Sequence, residues 1–391
     1  MVEDTHPSTH PPLPPTTEDG RLSWLRLLRS RRVGIATFYR LLTEHGSAAA
    51  ALDALPDIAA AAGVPDYRPC PPEVAQAELR AAAQAGTRMI CIGSPDYPDD
   101  LLTIPDPPPI LWAHGDQTVL DRPRIAIVGA RNASSLGTRM ARALAEDLGA
   151  AGYVVVSGLA RGIDAAAHHA ALGTGTIGVM AGGVDMLYPA ENAGLATDMA
   201  ATGLRLSEQP MGLQPVARHF PLRNRLISGL ARGVVVVEAA ARSGSLITAR
   251  TALDQGREVL AVPGHPLDGR SAGCNMLLRD GARLVRNAAD VIEAIGLPAA
   301  EPDRQAALDL GPAVPIPPAQ PETRTLRETA ALHRRILDRL SPSPVAEDQL
   351  IRDLGGTPRQ LSPAILDLEI SGDVERHPGG LIALRPPARP S

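Results

Sequence analysis

The sequence has no lysine. All 38 side chains counted as Lys+Arg in its 391 residues are arginines. A Walker A loop, which needs a lysine to reach phosphates, is therefore excluded. With abundant alanine, glycine and proline, the bias also reflects genomic base composition, so a single arginine signals a site less here than elsewhere. Aromatic residues make up only 2%, which argues against a fold that reads bases mainly by stacking. The three cysteines, Cys70, Cys91 and Cys274, are far apart with no CxxC or Cys/His spacing; no metal site is expected, and the thiols should be buried in a reducing compartment. No apolar run approaches a membrane span, and the proline-rich N-terminus "MVEDTHPSTHPPLPPTTEDG" lacks the apolar core of a signal peptide. These absences lead to the expectation of a soluble, cytoplasmic protein with no membrane partner. Net charge is −5, so any polyanion must be held by a local patch and not by the global field.

The chain is long enough for two or three domains. Residues 1–20 are expected to be a disordered tail. Residues 21–72 carry apolar residues at helical spacing ("LSWLRLLRS", "GIATFYRLLTEHGS", "AAALDAL") and read as a small helical domain of the SAM or helix-hairpin-helix kind. That module either touches a nucleic-acid backbone or only packs. Over 73–296, a helix and the strands "RMICIG" and "ILWAHG" lead into a strand–helix alternation: "RIAIVGA", "YVVVSG", "TIGVMAGG", "LRLSEQ", "VVVVEA", "EVLAVPG". Near-continuous Val/Ile runs separated by helices imply a parallel sheet covered on both faces. The fold class is α/β, an extended Rossmann-like doubly wound parallel sheet, which the two earlier strands would extend. Residues 297–325 form a Pro-rich linker, and 326–386, three helices and a hairpin around "HPGG", spell a winged helix. Its presumed recognition helix sets Asp367 and Glu369 against Arg359, a poor footprint for duplex DNA.

In such a sheet, ligands bind beyond the carboxyl ends of the strands. Those ends read "GARNASSLG", "SGLARGID", "AGGVDMLYP" and "EAAARSGSLITAR". Glycine lets backbone approach a ligand, helix N-termini offer free N–H groups to anions, and Ser134, Ser135 and Ser245 add hydroxyls. The first loop is neither a GxGxxG dinucleotide fingerprint nor a nucleotide-hydrolysis motif, so no cofactor is expected. The segment "RHFPLRNRLISGLARG" (218–233) gathers Arg218, His219, Arg223, Arg225 and Arg232 with no acidic residue between Glu208 and Glu238. Pro221 suits a helix first turn, which puts Arg223 and Arg225 near the same rim; two residues apart, they do not share one helix face. The alternative is a solvated helix face. His168 and His169, adjacent on a helix after "RGID", point to different faces and read as packing residues, with Asp164 orienting its loop.

"VGARNASSLG", "SGLARGIDAAAHHAAL", "AGGVDMLYPAEN", "FPLRNRLISGL", "SGSLITARTALDQGREVLAVPG" and "GCNMLLRDGA", in order over most of 115–296, together resemble the DNA-processing protein A (DprA/Smf) family. The helical domain and winged-helix tail resemble its longer members. The resemblance implies single-stranded DNA binding by the Rossmann domain, homodimerisation, protection of incoming DNA and loading of RecA recombinase during natural transformation, with no catalysis. Carried over by position, it assigns DNA contact to Gly129, Arg131, Ser134, Ser135, Gly137, Gly158, Arg161, Gly182, Gly183, Phe220, Arg223, Asn224, Arg225, Ser243, Gly244 and Ser245. Arg131 and Arg223 or Arg225 are expected to grip phosphates as rim residues with no part in the core. Many relatives use lysine at rim positions, and this chain has none. A competing reading is a nucleotide-phosphate hydrolase similar to the cytokinin-activating "lonely guy" proteins. Their PGGxGTxxE motif is replaced here by "ARSGSLITAR", which lacks the paired glycines and the glutamate. A third is a nucleotide-sensing regulator with the winged helix as output.

Overall fold

The structure is a computed structural model describing residues 13–296 and 326–385, apart from 342, 372 and 378–380. It divides into two units, residues 1–303 and 304–391. The expected linker (297–325), most of the expected tail (1–12) and the tip of the "HPGG" turn (378–380) lie outside the described residues.

The first unit begins with four helices, α1 (Glu18–Arg29), α2 (Ile35–His45), α3 (Ala48–Ala61) and α4 (Pro72–Gln84). Here the structure corrects the tail expectation, because residues 18–20 already form the first turn of α1. The Thr17 side chain caps it by accepting from Gly20 N at 3.0 Å, and Glu18 and Asp19 complement the positive end of the helix dipole. Trp24, Leu25, Phe38 and Leu41 from these helices belong to the same buried cluster as sheet residues Ile90, Trp112 and Val128. The helical module is thus packed against the sheet. Glu78 of α4 ties the layers: it accepts from Arg29 at 2.8 Å, from the Trp112 indole at 3.1 Å and from Met211 N at 3.3 Å.

The sheet has nine strands: β1 (Arg88–Cys91), β2 (Ile110–Gly115), β3 (Arg124–Gly129), β4 (Val154–Ser157), β5 (Thr176–Val179), β6 (Leu204–Ser207), β7 (Gly233–Glu238), β8 (Glu258–Ala261) and β9 (Arg283–Leu284). Their spatial order is β1-β2-β6-β5-β4-β3-β7-β8-β9. β6 through β9 in that order run parallel, while β1 and β2 pair antiparallel at the β6 edge. The sequence reading missed β9, a two-residue strand too short to carry a period, and a one-turn helix, α5 (Asp99–Leu102), inside the Pro-rich crossing.

The helices are α6 (Ser135–Ala150), α7 (Ile163–Ala171), α8 (Ala193–Thr202), α9 (His219–Gly229), α10 (Gly244–Asp254), α11 (Ala272–Arg279) and α12 (Ala288–Ile295). The valine-rich strands alternate between two cores. Ile125, Ile127, Val155, Val235 and Val237 meet α6, α7 and α12 on one face. Ala126, Val128, Val154, Val156, Val234 and Val236 meet α8 to α11 and the N-terminal helices on the other. Each such buried aliphatic contributes about 1.5–3 kcal/mol, which is why both faces must be covered.

The second unit contains α13 (Leu326–Leu337), β10 (Val345–Ala346), α14 (Glu347–Leu354), α15 (Pro358–Ile370), β11 (Val374–His377) and β12 (Leu381–Leu384). Three strands in the order β10-β12-β11 pack with the helices around Ile336, Leu350, Ile365 and Ile382. This is a winged helix.

Candidate functional site

β3 and β7 are neighbours, yet the chain leaves β3 toward β4, β5 and β6 on one side and continues from β7 to β8 and β9 on the other. Strand order reverses between them, and the crevice beyond their carboxyl ends is where such a sheet takes ligands. It holds a pocket of about 760 Å³. The β3 loop contributes Gly129, Arg131 and Asn132; α9 contributes Phe220, Arg223 and Asn224; the turn into α10 contributes Arg242, Ser243, Gly244 and Ser245. A second cleft of about 350 Å³ shares Arg131 and Phe220 with it and adds Gly158, Arg161 and Tyr188.

Arg223 forms the inner wall. Its Nη1 donates to the carbonyls of Gly158 at 2.5 Å and Val179 at 2.7 Å, and its Nε to Asn224 Oδ1 at 3.3 Å. A side chain at Gly158 would overlap the guanidinium and displace it from this position. The residue is only 6% exposed, and no carboxylate lies within 4.0 Å of it among the described residues. Burial pulls its pKa down to about 10, opposed by Asp164 and helped by Arg131. This corrects the expectation of a rim arginine outside the core. Asp164, likewise buried, accepts from Gly158 N at 3.1 Å and Ala160 N at 3.4 Å, orienting the β4–α7 loop. Burial raises its pKa, against the pull of Arg223 and those N–H groups. His168 braces the same loop: its ring meets Thr176 Oγ1 at 2.7 Å and Leu159 N at 3.4 Å. Leu159 holds a left-handed φ of 56°, strain of about 1–3 kcal/mol of the kind that collects at functional sites. Burial lowers His168 to about 3, with Arg223 adding to it.

At the mouth, the exposed Arg131 guanidinium lies 5.2 Å from the Phe220 ring centroid and Arg223 lies 5.9 Å from it. Tyr188 sits 6.0 Å from the same ring. Composition alone argued against stacking, but two of the chain's few aromatic rings are concentrated at this one place. Ser243 caps α10, its Oγ accepting from Ser245 N at 3.3 Å and meeting Ser245 Oγ at 2.7 Å.

Six of the expected residues are placed elsewhere. Arg225 is the main correction. It leaves α9 on another side, where Glu208 takes its Nη2 and the Asp106 carboxylate lies 3.1 Å from Nε, close enough for an ion pair but off line for a hydrogen bond. Two residues apart on one helix, Arg223 thus faces the pocket and Arg225 faces Asp106 and Glu208. Ser134 caps α6 and gives both its N–H and hydroxyl to Glu238; Gly137 makes room for that carboxylate. Gly182 and Gly183 admit the 210–213 loop, whose backbone a side chain at either would strike. Ser135 lies exposed at the start of α6, lining neither cavity. Arg161 reaches the smaller cleft with Glu191 at 3.5 Å.

Sequence reasoning missed Asn132, Arg242, Thr248, Arg270 and Tyr188 as lining residues. All but Arg270 sit inside the strand-end loops named above, so the signal for them was present. Arg270 follows β8 by nine residues, within an exposed loop without a motif of its own, and pairs with Asp268 at 3.2 Å. Among the described residues there is no cluster suited to a metal ion, and no helix is long and apolar enough to cross a membrane.

A doubly wound sheet with helices on both faces, an arginine-lined pocket at its switch point, and a winged helix in a second unit define a Rossmann-type protein with a cationic strand-end pocket. A family profile described as DNA recombination-mediator protein A matches residues 88–296; flanking profiles, a DprA-like N-terminal HHH domain and a DprA winged helix domain, match 18–81 and 320–380. Protein Smf of Escherichia coli K12 is 37% identical over 316 residues, 77% of this chain and 79% of its own. DNA processing protein DprA of Bacillus subtilis is 46% identical over 218 residues, 55% and 73% of the two chains. The X-ray structure of DprA from Streptococcus pneumoniae superposes with a TM-score of 0.56 at 36% identity, covering 68% of this chain and 99% of that one. The chain belongs to the DNA recombination-mediator protein A (DprA/Smf) family.

Proposed function

We propose that this protein binds single-stranded DNA by its backbone phosphates at the strand-end pocket, with little sequence preference, and does no chemistry on it. The observation that carries the reading is the placement of Arg131 and Arg223 at 5.2 and 5.9 Å from the Phe220 ring, with no carboxylate within 4.0 Å of either guanidinium among the described residues. A cationic groove with rings on which bases stack is how sequence-tolerant single-strand binders work. Arginine's planar fork suits phosphate because two of its N–H groups reach one anion together. Phe220 and Tyr188 supply the rings.

In this reading the protein acts in the cytoplasm as a homodimer, shields incoming strands and passes them to RecA recombinase in recombination and natural transformation. Family membership supports that role. Self-association has further support in β9, which pairs only with β8 among the described residues and leaves Leu284 48% exposed at the sheet edge.

The test is a fluorescence anisotropy titration of an unstructured oligothymidylate against salt. Log affinity should fall linearly with log salt, by about 0.7 per phosphate contacted. Salt-independent affinity, or a preference for duplex, overturns the reading. Release of free base from nucleoside monophosphates would favour the hydrolase instead.

A further inference from the structure

The pocket is large enough to take more than a strand backbone crossing its rim. Its volume, about 760 Å³, lies in the range of small-molecule sites, roughly 300–1,000 Å³. Its inner wall is also built differently from its mouth. Arg131 and Arg242 at the mouth are exposed, whereas Arg223 is 6%, Asn224 9%, Ser245 8% and Thr248 2% exposed.

These buried groups have donors left over. The Arg223 guanidinium spends Nη1 and Nε on protein acceptors, and Nη2 makes no hydrogen bond to another described residue. Asn224 Oδ1 is taken by Arg223 Nε, which orients its amide so that Nδ2 is free. Thr248 Oγ1 also has no partner among the described residues. None of these three atoms is sealed from solvent, and all three residues line the pocket. Three polar atoms on mostly buried side chains, open to the pocket and without a protein partner among the described residues, are suited to a ligand that supplies acceptors. The N-terminus of the eleven-residue α10 faces the same space, with Gly244 leaving it open. Asp164, the one carboxylate among the lining residues, has its Oδ2 engaged by the Gly158 and Ala160 N–H groups.

We propose that this floor is a phosphomonoester site, taking a terminal phosphate beneath the rim that carries internal diesters. The proposal rests on the strand-binding reading of the rim. A diester has two non-bridging oxygens and must bring both flanking nucleosides down with it. A monoester has three terminal oxygens and one ester link, so it enters end-on and meets Arg223, Asn224, Thr248 and the α10 terminus together. The monoester is supplied either by the end of a DNA strand or by a free deoxynucleoside monophosphate.

The experiment uses the full chain and short oligothymidylates carrying a 5′-phosphate, a 3′-phosphate or hydroxyls at both ends, with dTMP and inorganic phosphate as competitors. At least one phosphorylated end should bind about tenfold tighter than the hydroxyl-ended strand, the worth of one charge-assisted hydrogen bond. Preference for one end identifies a strand terminus as the source; displacement by dTMP without any end preference identifies the free nucleotide. Thr248→Val, and Ser245→Ala as a second variant, should abolish that discrimination, with circular dichroism confirming the fold. Equal affinity for all three strands together with no competition by dTMP overturns the proposal, as does discrimination that survives both variants. A long hydroxyl-ended strand is titrated in parallel. Its failure to bind would refute the strand-binding reading, whereas dTMP binding would still stand for the floor.

Discussion

The strand-end pocket and the winged helix both carry arginines, and they treat them in opposite ways. In the winged helix, Arg376 lies 2.7 Å from Glu347 and 3.1 Å from Glu369, and those hydrogen bonds raise its pKa. His333 in the same unit sits 3.8 Å from Asp367. In the pocket, Arg223 is buried without a carboxylate in reach and its pKa is depressed to about 10. An exposed arginine held by two carboxylates needs no further anion. Burying an uncompensated charge costs several kcal/mol even after relaxation, so such a group is informative about function in a way the paired one is not. The same contrast recurs within α9, where Arg225 has Glu208 and Asp106 and Arg223 has neither. What an arginine means is decided by what faces it.

The largest effect should come from the paired, buried arginine. Arg225→Ala leaves Glu208 buried beside Asp106 with no cation, a loss of about 3–5 kcal/mol in folding stability. Thermal or urea denaturation would show it. Affinity for single strands, measured well below the melting transition, should hold. A variant that kept its stability and lost DNA binding would break the contrast, because Arg225 would then belong to the pocket after all.

Next comes the exposed arginine of the mouth. Arg131→Ala should weaken single-strand binding by about 1.5–3 kcal/mol, the worth of a charged hydrogen bond. Its stability should stay within about 0.5 kcal/mol of the parent. Arg223→Ala should lose binding and stability together, since it also unties Gly158 and Val179. The double variant should be non-additive in binding if both arginines hold one strand segment. Arg376→Ala should leave binding alone. If Arg131→Ala binds like the parent, the mouth is only solvated surface.

Much of this architecture was legible in the sequence because periodicity reports burial. The runs "VVVVEA" and "YVVVSG" are continuous where both sheet faces are covered, and the structure places alternate valines of each in different cores. The site was legible as far as loops at strand ends could be named, because the fold dictates where ligands sit. Side-chain direction was not legible. Arg223 and Arg225 are equivalent in composition and spacing; only the three-dimensional position of Glu208, seventeen residues away, separates them. Ser134 looked like a phosphate-binding hydroxyl but is taken by Glu238, 104 residues on. Aromatic scarcity spoke to the fold class but not to local clustering: a percentage averages over the chain, while Phe220 and Tyr188 are neighbours in space alone.

A smaller, pH-dependent effect tests the wall behind Arg223. His168 is held neutral in the folded state with a pKa of about 3, against 6.5 ordinarily. In acid the unfolded chain therefore binds a proton that the folded one refuses. This contribution is complete above about pH 6.5 and is lost as pH falls toward 3, reaching about 2 kcal/mol at pH 5. Asp164, whose pKa burial raises, acts in the opposite sense, since its folded form gains a proton more readily as pH falls. The combined contribution of these two groups between pH 7 and 5 should thus be a loss of at most about 2 kcal/mol, and the overall pH slope should be shallower in His168→Gln. Identical pH slopes for the parent and the variant would remove His168 from the wall.

The smallest effect is expected from removing the winged helix. Truncation before Leu326 should change single-strand affinity by less than about 1.4 kcal/mol, a factor of ten. Three observations lead there. Asp367 is exposed on α15, the helix that would enter a groove. Arg376 on β11 is committed to Glu347 and Glu369. The unit also has its own core around Ile336 and Ile365, which shares no residue with either core of the sheet, so its loss leaves the pocket walls intact. The salt dependence discriminates further than affinity alone, because every phosphate that the truncated chain no longer grips would flatten the log–log slope by about 0.7. An unchanged slope with a modest affinity change supports a winged helix that binds something other than the strand. A loss beyond tenfold with a flatter slope would instead bring in the exposed Arg334 and Arg339 near the end of α13. Alanine at those two positions should then reproduce the truncation, and the contrast between the two regions would have to be redrawn at α13.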